Sequence, residues 1–239
     1  MKKLLLLIAA LGFAWSTNAQ PELAEVKDLY VYGVDFSLAK VIGADETAQE
    51  FAAVFPRINQ LLIDEPSKYD FAKAFRIPVA GLNITPTQTH NQACDYADLL
   101  SMSNEENNVS EEEIQKLITS YELPQGEGTG VVFIALTLNK GIGKGSYQVV
   151  FFDIANRNII LSRMVTAKAG GFGLRNYWAG SVYNVLKSWK TKSSNLFLLK
   201  CSTLQKRGRV AREAKAIHLV SVRVIKKRAC LIAGSLFCR

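Results

Sequence analysis

Gly170, Gly171 and Gly173 stand between a strand-like run and a helix-like run, with Lys168 before them and Arg175 and Tyr177 after. Exposed backbone N–H groups at such a turn, together with two cations, could hold an anion. The same glycines would also serve a turn that needs unusual backbone angles, and Arg175 could pair with a nearby acid instead. Tyr177 falls off the helical face formed by Trp178, Val182, Val185, Leu186 and Trp189, which leaves its ring beside the loop. Lys168, Gly170, Gly171, Gly173, Arg175 and Tyr177 are therefore the candidate ligand-binding residues.

Other chemistry is thinner. His90 and Cys94 are four apart and would share a face if helical, with Asp95 and Asp98 nearby, so a metal site or an activated thiol can be drawn. A metal site needs three or four ligands, and residues 20–190 offer no other His or Cys. A Ser/His/Asp hydrolase has only His90 to work with. Carboxylate pairs such as Asp64 with Glu65 and the run Glu111 to Glu113 sit where helix ends and solvated faces favour acids. Gly170, Gly171 and Gly173 do not have GxGxxG spacing, and in Gly141 to Ser146 the glycine Gly145 separates Lys144 from the hydroxyl, so neither a dinucleotide fingerprint nor a P-loop is present. No catalytic set, cofactor or metal follows from the residues.

The elements that must position these residues are legible in outline. Alternation predicts a strand over Leu29 to Leu38. Thr47 with Glu50 reads as a capping box, followed by helical spacing of Phe51, Val54, Phe55, Ile58, Leu61 and Leu62. Pro56 inside that pattern predicts a kink or two abutting helices. Ser67 opens a short helical turn through Phe75, Ile77 to Ile84 reads as a buried strand, and Thr85 to Ser110 reads as loop. Ser110 with Glu113 forms a second capping box ahead of Ile114, Leu117, Ile118 and Tyr121.

Three strand-like runs follow, Val131 to Leu138, Ser146 to Asp153 and Asn158 to Ala167, joined by short turns. The predicted fold is α/β (α+β): a two-layer sandwich with a mixed sheet, a C-terminal antiparallel three-stranded meander and covering helices.

The two ends differ from this body. Lys2 and Lys3, the apolar run Leu4 to Trp15 and the small residues before Gln20 read as a signal peptide over residues 1–19, too short to span a bilayer. Periplasmic or secreted placement follows, with no transmembrane span after processing. Residues 20–190 hold 15 Lys and Arg against 20 Asp and Glu, a balance of −5. Residues 191–239 hold 12 against one, +11, together with Cys201, Cys230 and Cys238. That basic tail reads as residues translated out of frame, as a basic arm for nucleic acid or anionic lipid, or as a disulfide-bonded appendage. A nucleic-acid partner would rest on the tail alone.

The segment Lys168-Ala-Gly-Gly-Phe-Gly-Leu-Arg-Asn-Tyr-Trp-Ala179, with Phe151 to Ile154 before it and Tyr183 to Trp189 after, resembles an uncharacterised family of small secreted bacterial α/β proteins. The likeness covers roughly residues 110–190. More remotely, the order of elements is similar to the amino-terminal domain of the Tol system's periplasmic translocation protein and to curli-secretion lipoproteins. The resemblance implies an envelope binding or assembly module whose partner is an envelope protein or a small anionic ligand. The competing classes are a small envelope hydrolase using the loop from Lys168 to Arg175, and a binder of anionic polymer or lipid through the tail.

Overall fold

The computed structural model describes residues 23, 25–103 and 105–189. The predicted signal peptide and the basic tail lie outside them. Chain contacts divide between Lys187 and Ser188 into two units, and of the second only Ser188 and Trp189 are among the described residues.

The first unit is mixed α/β, with one seven-stranded sheet and five helices among the described residues. The central strand β5 (Thr129–Asn139) pairs along one side with β6 (Lys144–Asp153) and along the other with β1 (Leu29–Asp35) and then β2 (Lys40–Ile42). Beyond these lie β3 (Val79–Leu82) on β1, β4 (Leu100–Ser101) on β2 and β7 (Ile159–Lys168) on β6. Four of the six pairings are parallel; β5 with β6 and β6 with β7 are antiparallel.

Residues Val131 to Leu138 of β5 are all buried, and alternation sends them to opposite faces. Val132, Ile134 and Leu136 pack with Ile114, Leu117 and Ile118 of α4 (Glu111–Ser120). Phe133, on the other face, meets Phe71 and Phe75 of α2 (Phe71–Phe75) at 5.9 and 6.2 Å between ring centres. Tyr147, on that same second face, shares a 2.5 Å hydrogen bond with Ser181 of α5 (173–189). The two-layer expectation is thereby refined, because the helices divide between both faces of β5.

Several elements depart from the sequence reading. The strand expected to reach Leu38 ends at Asp35; Ala39 N–H donates to Phe36 C=O (3.0 Å) in a turn, and β2 follows. Around Pro56 the chain forms one helix, α1 (Ala48–Asp64), and not two abutting ones. Asp70 rather than Ser67 caps α2, its carboxylate accepting from Lys73 N–H at 2.8 Å. Within the stretch read as loop lies a nine-residue helix, α3 (Thr85–Ala93), with Pro86 in its first turn. Both capping boxes are present, with their side-chain and backbone bonds reciprocal.

Helix α3 exists to finish β1. Beyond β3 the outer edge of β1 has no strand neighbour among the described residues, and side chains supply the missing partners. Asn59 of α1 accepts from Val34 N–H (2.7 Å) and donates to Val34 C=O (2.8 Å). Asn91 accepts from Phe36 N–H (2.7 Å) and also donates to Val34 C=O, while Thr87 donates to Tyr32 C=O (2.5 Å). All three side chains are buried, so they stand in for a ladder that water cannot replace. Gly33 permits this approach: its φ is +81°, and an added Cβ would lie 2.7 Å from Asn59 Oδ1.

Candidate functional site

The glycine loop connects β7 to α5 at the surface. Gly170 N–H donates to Tyr177 C=O (3.0 Å), and Asn176 Nδ2 donates to Phe172 C=O (3.1 Å), which folds the loop over the first turn of α5. Gly171 (φ +134°) and Gly173 (φ +77°) occupy backbone conformations that L side chains rarely adopt, and a Cβ on Gly171 would also meet Asn176 C=O at 2.6 Å. Gly170 is different: a Cβ there would meet nothing within 4 Å. In α5 itself Gly180 lets the helix approach, since a Cβ would lie only 2.0 Å from Gly170 C=O. Turn duty therefore accounts for Gly171 and Gly173.

Phe172, held at the tip of this loop, is 96% exposed. An open cleft lies on each side of it. One, of about 490 Å³, is lined by Gly170, Gly171, Phe172, Arg175, Glu65 and Lys68 among others. The second, of about 290 Å³, is lined by Val54, Arg57 and the loop from Phe172 to Asn176. Arg175 borders both, and its Nε donates to Asn176 Oδ1 at 3.2 Å rather than to a carboxylate. Glu65, the acid of the larger cleft, instead pairs with Lys68 at 2.8 Å, which raises the Lys68 pKa. The alternative in which Arg175 serves an internal ion pair finds no support among the described residues.

No family model matches the chain. Neither a curated protein nor a solved structure matches it.

The six candidate residues do not all converge. Gly170, Gly171, Gly173 and Arg175 line the clefts. Lys168 lines neither: it ends β7 on the face of Thr166, whose hydroxyl bonds Ser146, while α5 covers the face of Tyr147. Only its carbonyl reaches toward α5, accepting from Asn184 Nδ2 at 2.9 Å. Tyr177 turns away as well. Its ring stands edge-on to Trp178, and its hydroxyl would lie 3.2 Å from a Cβ on Gly143 in the β5–β6 turn. The residues that the sequence reading missed are Phe172, Arg57, Glu65 and Lys68. Phe172 carried a signal: a large aromatic between glycines has no helical or strand face on which to be buried.

The His90 and Cys94 pairing also resolves differently. α3 stops at Ala93, and Cys94 is extended (ψ 136°), so the shared helical face is lost. His90 instead places Nδ1 3.1 Å from Oδ2 of the fully buried Asp35, an ion-pair distance without the alignment of a hydrogen bond. Asp35 also accepts from Tyr121 O–H (2.7 Å) and Ser37 N–H (2.8 Å). The close approach of the Asp35 carboxylate and its charge raise the His90 pKa against the effect of burial. The Cys94 thiol donates to Ser37 C=O at 3.6 Å, and burial, then the charges of Asp35 and Asp95, push its pKa up, away from thiolate chemistry. Among the described residues no three His, Cys, Asp or Glu side chains gather as metal ligands.

Proposed function

We propose that the protein is an exported, non-enzymatic binding or envelope-assembly module that meets its partner through the face around Phe172. The observation that carries this reading is the 96% exposure of Phe172 on a loop whose backbone angles Gly171 and Gly173 permit and whose fold is tied by the Gly170–Tyr177 and Asn176–Phe172 hydrogen bonds. A solitary exposed apolar residue needs no explanation, but an aromatic on a hydrogen-bonded crest between two clefts is a common form of contact residue. The layered sandwich, with its last three strands acting as one antiparallel meander, serves in this reading as the scaffold behind the loop. Export rests on the charged and apolar pattern of residues 1–19. No described helix is long and apolar enough to cross a membrane. The envelope association proposed is through a partner.

A photoreactive phenylalanine analogue tests this directly in intact cells. Placed at position 172, it is expected to give a discrete cross-linked species; placed at the exposed Thr119 of α4, on the other face of the sheet, it is not. Equal cross-linking from both positions, or none from 172, contradicts the proposal.

A further inference from the structure

We infer that the partner of the Phe172 face is an acidic polypeptide segment carrying an apolar side chain, an inference that rests on the binding reading above. The charge of the face opposes that of the body. Arg57, Lys68 and Arg175 border the clefts with Glu65 as the acid among their lining, whereas residues 20–190 carry 15 basic and 20 acidic groups. Lys68 is already occupied by Glu65, which leaves the two guanidinium groups as the cations available to carboxylates. Arginine suits that role because its planar fork accepts a carboxylate in two parallel hydrogen bonds. Val54 and Leu174 line the smaller cleft beside Phe172, where an apolar side chain can lodge.

This combination favours a polypeptide over a nucleic acid or a lipid surface. A polyanion or anionic bilayer engages many cations at once, whereas the two clefts present two guanidinium groups besides the Lys68 already paired with Glu65. A peptide meets one or two cations and one apolar pocket, which is the scale of what Arg57, Phe172 and Arg175 offer.

The probe is a peptide of alternating Glu and Leu that carries a benzophenone, irradiated with the chain processed before Gln20 and mapped by proteolysis and mass spectrometry. Adducts are expected around residues 54–57 and 172–176, at least about tenfold fewer in Phe172→Ala and in Arg57→Glu with Arg175→Gln, and fewer as salt rises. Thermal midpoints of these variants, measured alongside, are expected to match the parent. Adducts mapping beyond residue 190, equal labelling by the peptide with Lys in place of Glu, or stronger displacement by an oligonucleotide or by phosphatidylglycerol vesicles would overturn the inference. A cross-link from position 172 in cells without peptide labelling would sink the acidic partner alone; loss of both would sink the binding reading too.

Discussion

At the scale of single residues, two buried polar clusters do opposite kinds of work. Asn59 supplies both hydrogen bonds that Val34 would otherwise exchange with a strand, at zero exposure. Asn59→Ala leaves the Val34 N–H unsatisfied, its carbonyl keeping the bond from Asn91, and opens a void, so a loss of about 2–4 kcal/mol is expected in urea titrations. The exposed Gln60→Ala, which removes a bond to Asp64, should change stability by less than about 0.5 kcal/mol. The second cluster, around Asp35, responds to pH. His90 is 31% exposed, and its folded pKa is raised above 6.5, so its ion pair stabilises the fold fully below the unfolded value and is lost as pH rises through the folded one. Tyr121 and Tyr96, which feel the same Asp35, are held far up by burial, and the Cys94 thiol is also raised, leaving His90 to change charge in that window. The midpoint difference between the parent and His90→Gln is therefore expected to be largest below about pH 6.5 and to shrink above it. A difference that grows as pH rises would refute this assignment. Neither cluster was legible in the sequence, because Asn59 lies on an otherwise apolar helical face and Asp35, His90 and Tyr121 are joined only by the fold.

At the scale of elements, the outcome depended on whether apolar periodicity or polar chemistry set the structure. Both helices begun by a capping box, α1 and α4, were read from Thr47 with Glu50 and from Ser110 with Glu113, since these signals are local. Thr47→Ala and Ser110→Ala should each cost about 1 kcal/mol in thermal or chemical unfolding, and retention of full stability would show the caps to be redundant. The strands β5, β6 and β7 were likewise visible to within about two residues, being long and apolar. Helix α3 escaped because its buried face is built from Thr87 and Asn91, so no apolar stripe marks it. The division of helices between two faces escaped for the opposite reason: Val131 to Leu136 is apolar throughout, which says that both faces are covered but not by which helix. For the candidate site, the loop was legible from its glycines, whereas the divergence of Lys168 and Tyr177 required the strand's alternation and the helix's rotation to be known together. Arg57, Glu65 and Lys68 come from α1 and the turn after it, more than 100 residues away in sequence, and nothing local ties them to Phe172.

At the scale of the whole molecule, charge separates the chain into a body of −5 and a tail of +11, and the proposed function belongs to the body. The body's sheet and its helices bury a core that includes Trp178, Phe133, Phe151 and Tyr147, large side chains drawn from sheet and helix together. A core of that composition should support cooperative folding without residues 191–239, and the Phe172 crest should keep its shape with it. The direct measurement is thermal unfolding, followed by circular dichroism, of a chain spanning residues 20–190 beside one spanning 20–239. One cooperative transition in each, with midpoints within about 2 °C, is the expected result. A broad, non-cooperative transition in the shorter chain, or a midpoint lower by more than about 5 °C, would contradict the claim that the body is a self-contained binding unit.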